Sequence, residues 1–302
     1  MPFNRQGLSP RSREAAIKRT EQQNEYSTDV QVARDYYNSS DADTFYATVW
    51  GGTDIHVGLY RGVEGLSDTD DIATASARTV ERMSASVAPD SSTRVLDLGS
   101  GYGGSARHLA EVYGSHVTCL NLSEVENDYN RKRNEQEGHE HLIDVLEGSF
   151  EDIPFGNGKF DVVWSQDAIV HSGARDRVLS EVARVLAPGG KFVFTDLLAA
   201  DHTPVDTLGP ILKRLHLSSM GTPGYYREAA GRAGLTYVEF DDLSTQLPIH
   251  YGRVLAETER RYDELSERIS TDYLERMTAG LREWVTRGEA GDLAWGIHHC
   301  QR

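Results

Sequence analysis

Apolar runs and amphipathic stretches alternate through the central part of the chain. Short apolar runs predict buried strands, and the segments between them repeat apolar side chains at helical spacing. The predicted strands are Val95–Leu98, Val117–Asn121, Ile143–Glu147, Phe160–Ser165 and Lys191–Asp196, and the predicted helices are Gly104–Tyr113, Ser123–Glu137 and Asp176–Leu186. Strands and helices in this order predict an α/β fold in which a mostly parallel sheet carries helices on both faces.

The flanks of this central part have other patterns. The segment 30–60 is dense in aromatic residues, and its end, 49–60, is a glycine-rich loop of the kind that covers sites. A helical pattern follows at 68–86, whereas several prolines and glycines interrupt 199–233. The remaining predictions are a strand at 235–243, helices at 251–269 and 273–285, and a closing strand at 293–300. We therefore expect a lid with helices over residues 1–90 and a cofactor-binding core over residues 91–302, with a substrate-covering insertion at 199–233 and a helical insertion at 249–290.

A glycine-rich turn follows the first predicted strand, in the run Asp97-Leu-Gly-Ser-Gly-Tyr-Gly-Gly104. Glycine has no Cβ, so the backbone can approach a ligand closely, and the helix that follows begins with unpaired N–H groups. Ligands of parallel sheets bind at the carboxyl ends of the strands. The turn therefore predicts a cofactor site, although the spacing of Gly99, Gly101 and Gly104 alone fits dinucleotide-dependent enzymes equally well.

Candidate ligand-binding residues also follow the other predicted strands. Asn121 ends the second strand, about 20 residues after the turn, where a ribose-binding residue is expected. Ser149 and Phe150 follow the third strand, and a hydroxyl beside an aromatic ring suits an adenine base. Gln166 follows the fourth strand.

Composition excludes some partners and leaves the host open. Asp and Glu total 47 against 31 Lys and Arg, giving a formal net charge of -16, which argues against nucleic acid or an anionic membrane as partner. This balance fits a salt-tolerant host and an ordinary acidic enzyme equally well. Cys119 and Cys300 are too few and too far apart for a disulfide framework or a zinc site, and no metal is expected. Without a signal peptide or an apolar span, the sequence predicts a cytoplasmic protein. A monomer or homodimer is expected.

The central motifs together resemble the class I S-adenosylmethionine-dependent methyltransferases over residues 94–198. This resemblance implies a Rossmann-like doubly wound sheet with an antiparallel last strand. It also implies S-adenosylmethionine as methyl donor and S-adenosylhomocysteine as product. The chain departs from the family at Asn121, where Asp or Glu is usual, although an amide can also bond hydroxyls. The implied cofactor-binding residues are Asp97, Gly99, Gly101, Gly103, Asn121, Leu122, Ser149, Phe150 and Gln166.

The flanks are similar to the sarcosine/dimethylglycine N-methyltransferases, which make the osmolyte glycine betaine. The similarity lies in Val49-Trp-Gly-Gly-Thr-Asp-Ile-His-Val-Gly-Leu-Tyr60, Trp164-Ser-Gln-Asp-Ala-Ile-Val-His-Ser172, Met220-Gly-Thr-Pro-Gly-Tyr-Tyr-Arg227 and Leu293-Ala-Trp-Gly296. It implies in-line methyl transfer to the neutral amine of a small amino acid. His171, His56 and Gln166 are the catalytic candidates, with a histidine receiving the ammonium proton or orienting water.

The same resemblance implies a substrate site. Aromatic faces suit the cationic product, and Tyr46, Trp50, Tyr60 and Tyr225 are available. An arginine suits the substrate carboxylate, for which Arg227 is preferred to Arg214. Three alternatives stay open: a dinucleotide-dependent oxidoreductase, a non-catalytic cofactor-binding protein, and a methyltransferase for another acceptor such as phosphoethanolamine, a tocopherol or a sterol.

Overall fold

The computed structural model describes residues 28–51, 55–60, 70–215 and 217–302, and the N-terminal part of the expected lid, residues 1–27, lies outside them. A sheet in the order β3-β2-β1-β4-β5-β9-β7 forms the centre of the described chain. Its strands are β1 (Arg94–Leu98), β2 (His116–Asn121), β3 (Ile143–Glu147), β4 (Phe160–Gln166), β5 (Leu186–Thr195), β7 (Thr236–Asp242) and β9 (Gly296–Gln301). Strands β6 (Leu198–Ala199) and β8 (Leu293–Ala294) form a separate antiparallel pair.

The pairing confirms the predicted doubly wound, mostly parallel sheet. Strands β1 to β5 run parallel, whereas the last strand of the chain, β9, is antiparallel to both of its neighbours, β5 and β7. Chain order reverses beside β1, because β2 lies on one side of it and β4 on the other. A ligand site is expected at that reversal, beyond the carboxyl ends of these strands.

Helices cover both faces of the sheet and extend beyond it. They are α1 (Thr28–Tyr37), α2 (Ser40–Val49), α3 (Ile72–Val87), α4 (Gly104–Tyr113), α5 (Glu124–Glu137), α6 (Arg175–Val185), α7 (Gly209–Arg214), α8 (Pro223–Arg232), α9 (Gln246–Arg260), α10 (Tyr262–Ser266) and α11 (Thr271–Glu289). The buried apolar residues form two clusters. In the described part of the chain, no helix is long and apolar enough to cross a membrane.

The structure departs from the sequence predictions mainly at the flanks. The aromatic segment forms two short helices, α1 and α2, and the Ser39 hydroxyl caps α2 by accepting a hydrogen bond from the Ala42 N–H. The helical pattern predicted from residue 251 begins earlier, at Gln246, and is interrupted at Arg261. The helix before β5 ends at Val185, because the backbone turns extended at Leu186.

Register aligns the strand ends that carry the predicted site. Leu98, the last residue of β1, pairs with Leu120 of β2 and with Ser165 of β4. Gly99 follows Leu98, Asn121 follows Leu120, and Gln166 follows Ser165. The fold thus brings three predicted ligand-binding residues to one edge of the sheet.

Candidate active site

The glycine turn has a backbone that other residues would strain. Gly99 and Gly103 have φ values of +70° and +80°, in the left-handed region. A Cβ on Gly99 would lie 2.5 Å from the Ala168 Cβ, and a Cβ on Gly103 would lie 2.2 Å from the Asn130 Oδ1. Glycine is therefore required at both positions by conformation and by space.

A cavity opens at this turn, and eight of the predicted site residues line it. They are Gly99, Gly101, Asn121, Leu122, Phe150, Gln166, His56 and His171. Further lining residues come from the N-terminal helices and from the ends of the strands. They are Ala33, Arg34, Tyr37, Ile55, Ser100, Tyr102, Ser123, Glu126, Asp167 and Ala168.

Asp97, Gly103 and Ser149 are not among the described residues that line this cavity. Asp97 and Ser149 are buried, and the Ser149 hydroxyl accepts a hydrogen bond from the Glu151 N–H at 3.1 Å. These residues shape the turn and the loop after β3, and their direct contact with a ligand stays a prediction.

Asn121 lies beside a buried carboxyl group. Its Nδ2 donates to the Glu126 Oε2 at 3.0 Å, so its own amide oxygen and the second Glu126 oxygen are acceptors. Glu126 is 3% exposed, and burial raises the pKa of its carboxyl group to about 7. The strand β2 ends in Asn121 and not in an acidic residue, but the Glu126 carboxyl group from the first turn of α5 lies beside it.

Gln166 presents its amide nitrogen as a donor. Its Oε1 accepts hydrogen bonds from the Trp164 Nε1–H at 3.0 Å and from the Ser105 hydroxyl. The buried Nε2 has no hydrogen-bond partner among the described residues. Because an unsatisfied buried donor is costly, this atom is suited to an acceptor on a ligand in the cavity.

The turn that carries His171 is held by the buried side chains of Asp196 and Arg175. His171 lies in a single 3-10 turn, Ile169–His171, where the Asp196 Oδ1 accepts the Val170 N–H at 2.8 Å and the Arg175 Nη2 donates to the Val170 oxygen at 2.9 Å. The second Asp196 oxygen accepts the Tyr226 hydroxyl at 2.6 Å. Burial raises the pKa of the Asp196 carboxyl group to about 7.

The imidazole of His171 is neutral at pH 7. Burial, with a smaller contribution from the Arg175 guanidinium, lowers its pKa from 6.5 to about 4. Its Nε2 lies 2.9 Å from the Tyr37 hydroxyl, and the two rings meet edge to face. The ring is thus oriented by α1 and adds no positive charge to the cavity.

Asp167 joins the end of β4 to two distant segments. Its Oδ2 accepts the Val57 N–H at 3.0 Å, and its Oδ1 accepts the Trp295 Nε1–H at 2.8 Å. It has a φ of +50°, which is rare for a residue other than glycine and is typical of functional sites. The His56 Nδ1 lies 3.9 Å from the same carboxylate.

Helices α1 and α2 are fastened over the cavity by polar contacts. The Tyr102 hydroxyl of the glycine turn donates to the Asp43 Oδ1 at 2.6 Å. The Ser123 hydroxyl donates to the Asn38 Oδ1 at 2.8 Å, and Arg34 forms ion pairs with Glu124 and Glu147. These contacts make the aromatic helices part of the cavity wall.

An aromatic cluster continues from this wall into the protein. The rings of Tyr37 and Tyr46 are 6.3 Å apart, those of Tyr46 and Trp50 are 5.2 Å apart, and those of Trp50 and His250 are 5.5 Å apart. The Tyr60 hydroxyl lies 3.0 Å from the His250 Nδ1. Three of the predicted substrate-binding aromatics, Tyr46, Trp50 and Tyr60, are therefore gathered in one cluster behind the cavity.

The other two predicted substrate-binding residues lie on α8. Tyr225 packs beside Arg232, and the Arg227 guanidinium lies 5.6 Å from the centre of the Tyr237 ring on β7. Neither is among the described residues that line the cavity, and their role in substrate binding stays a prediction. The side chain of Arg214 lies outside what the structure describes.

Sequence reasoning missed Tyr37, Glu126 and Asp167 as site residues. Ser123 and Glu126 have the spacing of a capping box, and the Ser123 hydroxyl does accept the Glu126 N–H at 3.2 Å. The glutamate side chain points instead to Asn121. In the sequence, Tyr37 is one of many aromatic residues in its segment, and Asp167 is marked only by its place next to Gln166.

Comparison with known proteins places the chain among methyltransferases. A model of the methyltransferase domain matches residues 96–194. A glycine/sarcosine/dimethylglycine N-methyltransferase of Actinopolyspora halophila is 57% identical over 276 residues, which are 91% of this chain and 48% of that relative. The chain thus spans about half the length of that protein. A sarcosine/dimethylglycine N-methyltransferase of Halorhodospira halochloris is 51% identical over 276 residues, which are 90% of this chain and 96% of the relative.

One solved structure is also similar over most of its length. It is a crystal structure from Galdieria sulphuraria of a protein proposed to be a sarcosine dimethylglycine methyltransferase. Its TM-score is 0.82 at 39% identity, and the match covers 88% of this chain and 98% of that one. The similarity extends well beyond the methyltransferase domain.

Proposed function

The chain belongs to the family of sarcosine/dimethylglycine N-methyltransferases, and from that premise we propose that it methylates sarcosine, dimethylglycine or both. The methyl donor is S-adenosylmethionine and the final product is glycine betaine. The observation that carries the proposal is the cavity at the carboxyl ends of β1, β2 and β4, in which a glycine turn, polar ligand-binding groups and a neutral histidine meet.

The residues at this cavity fit the methyl donor. Gly99 and Gly103 keep side chains away from the turn, where a Cβ would collide with Ala168 or Asn130. Asn121 and Glu126 present acceptors for the ribose hydroxyls, and Phe150 provides an apolar wall for the base. In this proposal the buried Nε2 of Gln166, which has no partner among the described residues, donates to the amino-acid part of S-adenosylmethionine.

When bound, S-adenosylmethionine supplies a methyl group on a positively charged sulfur. The protein's task is to bring a neutral amine in line with that methyl group and to exclude water. Helices α1 and α2, fastened through Asp43 and Asn38, cover the cavity for this purpose. A neutral His171 adds no cationic repulsion. In this proposal its Nε2 accepts the Tyr37 hydroxyl, whose oxygen can in turn accept a hydrogen bond from water or amine.

Aromatic rings stabilise the cation that forms on the acceptor nitrogen. The negative faces of Tyr and Trp rings attract quaternary ammonium groups. Tyr37 lines the cavity, and Tyr46 and Trp50 extend the same cluster. We propose that this cluster surrounds the acceptor amine. His56, on the loop that Asp167 holds, is the second proton acceptor in this proposal.

Calorimetry with purified protein tests the cofactor class. We expect S-adenosylhomocysteine to bind and NAD not to bind, because the relatives and the matched domain are methyltransferases. NAD binding without S-adenosylhomocysteine binding would favour the oxidoreductase alternative. Transfer of a labelled methyl group from S-adenosylmethionine to dimethylglycine then distinguishes an enzyme from a non-catalytic cofactor-binding protein.

A further inference from the structure

We propose that the Nε2–H of His250 and the Nε1–H of Trp50 bind the carboxylate of the methyl acceptor. This inference rests on the proposed function, since it concerns the carboxylate of an N-methylated amino acid. It assigns the recognition of that group to two neutral donors in the aromatic cluster instead of to an arginine.

Hydrogen bonding fixes the tautomer of His250. The Gly58 backbone N–H, which can only donate, lies 3.2 Å from the His250 Nδ1, and the Tyr60 hydroxyl lies 3.0 Å from the same atom. The Nδ1 is therefore an acceptor and the proton of the neutral ring is on Nε2. Burial, with a smaller contribution from His56, lowers the pKa of His250 to about 3, so the ring is neutral at pH 7.

Two buried donors in this cluster lack acceptors. Neither the His250 Nε2 nor the Trp50 Nε1 has a hydrogen-bond partner in the described chain. His250 is fully buried and Trp50 is 5% exposed, so bulk water does not satisfy them. Unpaired buried donors are rare because each one costs free energy, and two on rings 5.5 Å apart indicate a missing acceptor.

The position of these donors suits the far end of a short amino acid. His56 lines the cofactor cavity, and the N–H of Gly58 in the same segment donates to His250. Trp50 connects through Tyr46 to Tyr37 on the cavity wall. In this proposal the amine of the acceptor lies at the cavity, among these rings, and its carboxylate points toward His250 and Trp50 in the interior of the cluster. A carboxylate offers two oxygens, which matches two donors.

Two arginines near the cavity, Arg34 and Arg175, are already engaged, and the guanidinium of a third, Arg253, lies 5.7 Å from the centre of the Tyr60 ring. Arg34 forms ion pairs with Glu124 and Glu147. The Arg175 Nη1 donates to the Ser219 hydroxyl, and its Nη2 donates to the Val170 and Ser219 carbonyl oxygens. Neutral donors also add no positive charge beside a sulfonium and a forming ammonium group. The His250 and Trp50 donors therefore suit the carboxylate, because they have no other hydrogen-bond partner among the described residues and carry no positive charge.

Matched variants can remove each N–H donor while keeping most of the surrounding packing. Trp50→Phe removes the Nε1–H and keeps an aromatic ring. His250→Asn keeps an oxygen where Nδ1 accepts from Gly58 but loses the Nε2–H, whereas His250→Gln keeps an N–H near the Nε2 position. Each protein, loaded with S-adenosylhomocysteine, is titrated by calorimetry with dimethylglycine and with dimethylethanolamine, in which a hydroxymethyl group replaces the carboxylate.

We expect Trp50→Phe and His250→Asn each to weaken dimethylglycine binding by about tenfold, the loss of one hydrogen bond to a charged group. We expect His250→Gln to weaken it less. Affinity for dimethylethanolamine should fall by less than affinity for dimethylglycine, because its amine meets the same aromatic cluster but it has no carboxylate. Affinity for S-adenosylhomocysteine should stay at the wild-type value. If a His250 variant does not fold, the dimethylglycine affinity of the conservative Trp50→Phe variant tests the carboxylate site on its own.

Two results would overturn the carboxylate site. One is unchanged dimethylglycine affinity in Trp50→Phe and His250→Asn, and the other is an equal loss for dimethylglycine and dimethylethanolamine. Both are distinct from failure of the proposed function, which would appear as wild-type protein that binds S-adenosylhomocysteine but methylates neither sarcosine nor dimethylglycine.

Discussion

Replacing Asp167 with asparagine is expected to lower kcat/KM for the methyl acceptor by about 100-fold without unfolding the protein. Both carboxylate oxygens accept N–H groups, one from Val57 and one from Trp295. The asparagine amide has only one oxygen, so it can accept from either Val57 or Trp295 but not from both. Its NH2 group would face the other N–H donor, and that buried hydrogen bond would be lost. Asparagine tolerates the positive φ of +50° at this position, so the backbone of β4 is not expected to change.

The size of this effect follows from what Asp167 positions. Val57 belongs to the segment that carries Ile55 and His56 to the cavity wall. A displacement of about 1 Å in a residue that orients a substrate can lower the rate about 100-fold. Asp167 is therefore expected to act as a positioning residue for this loop.

Asp161→Asn is the matched control for this variant. Asp161 lies on β4, the strand that Asp167 follows, but forms an exposed ion pair with Arg94, and such pairs contribute about 0–1 kcal/mol. We expect it to retain wild-type kcat/KM. Steady-state kinetics and thermal melting of both variants provide the measurement. Wild-type kcat/KM in Asp167→Asn would show that the loop is positioned by other contacts.

Cofactor affinity is expected to rise with pH through about 7, and this rise is expected to depend on Glu126. Burial raises the pKa of this carboxyl group from 4.5 to about 7, so below that pH it is protonated and above it is ionised. Ribose hydroxyls donate more strongly to the ionised form. Calorimetric Kd values for S-adenosylhomocysteine should therefore fall between about pH 6 and pH 8.

Two variants at this position and one control define the contribution of Glu126. Glu126→Ala loses the acceptors and should raise the Kd about 100-fold, since two hydrogen bonds to a charged group are removed. Glu126→Gln keeps one oxygen, so a smaller rise and the disappearance of the pH dependence are expected. Glu135→Gln, an exposed position on the same helix, should keep the wild-type profile. A pH dependence that persists in Glu126→Gln would assign the titration to another group.

The parts of the fold that the sequence predicted well depend on local patterns. Each central strand is a short apolar run, and the glycine turn combines positive φ values with close neighbours that only glycine allows. Parallel pairing of β1 with β2 and β4 then aligns the residues after the strands, which is why Gly99, Asn121 and Gln166 could be placed at one site.

The parts that the sequence did not predict depend on contacts between distant segments. Asp167 is a site residue because it meets Val57 and Trp295, which are far from it in the chain. Glu126 lies where the acidic residue was expected at position 121, because the first turn of helix α5 directs the Glu126 carboxyl group back toward the strand end. The charge of Arg227 and its place in an insertion predict a substrate contact, and the structure adds only that its guanidinium lies 5.6 Å from the centre of the Tyr237 ring.

The same distinction applies to the aromatic residues. Their clustering in the sequence predicted either a core or a pocket wall, and the structure combines the two. Tyr37 lines the cavity beside His171, whereas Trp50 is buried against Tyr46 and His250. Which aromatic residue faces the ligand depends on how α1 and α2 are fastened to the sheet.

Methyl transfer by the purified wild-type protein is the decisive measurement. Labelled S-adenosylmethionine is offered with glycine, sarcosine, dimethylglycine or phosphoethanolamine, and the products are identified by mass spectrometry. We predict labelled product from sarcosine or dimethylglycine, with glycine betaine as the final product and no transfer to phosphoethanolamine. Transfer to phosphoethanolamine alone, or to none of these acceptors while S-adenosylhomocysteine still binds, would contradict the assignment.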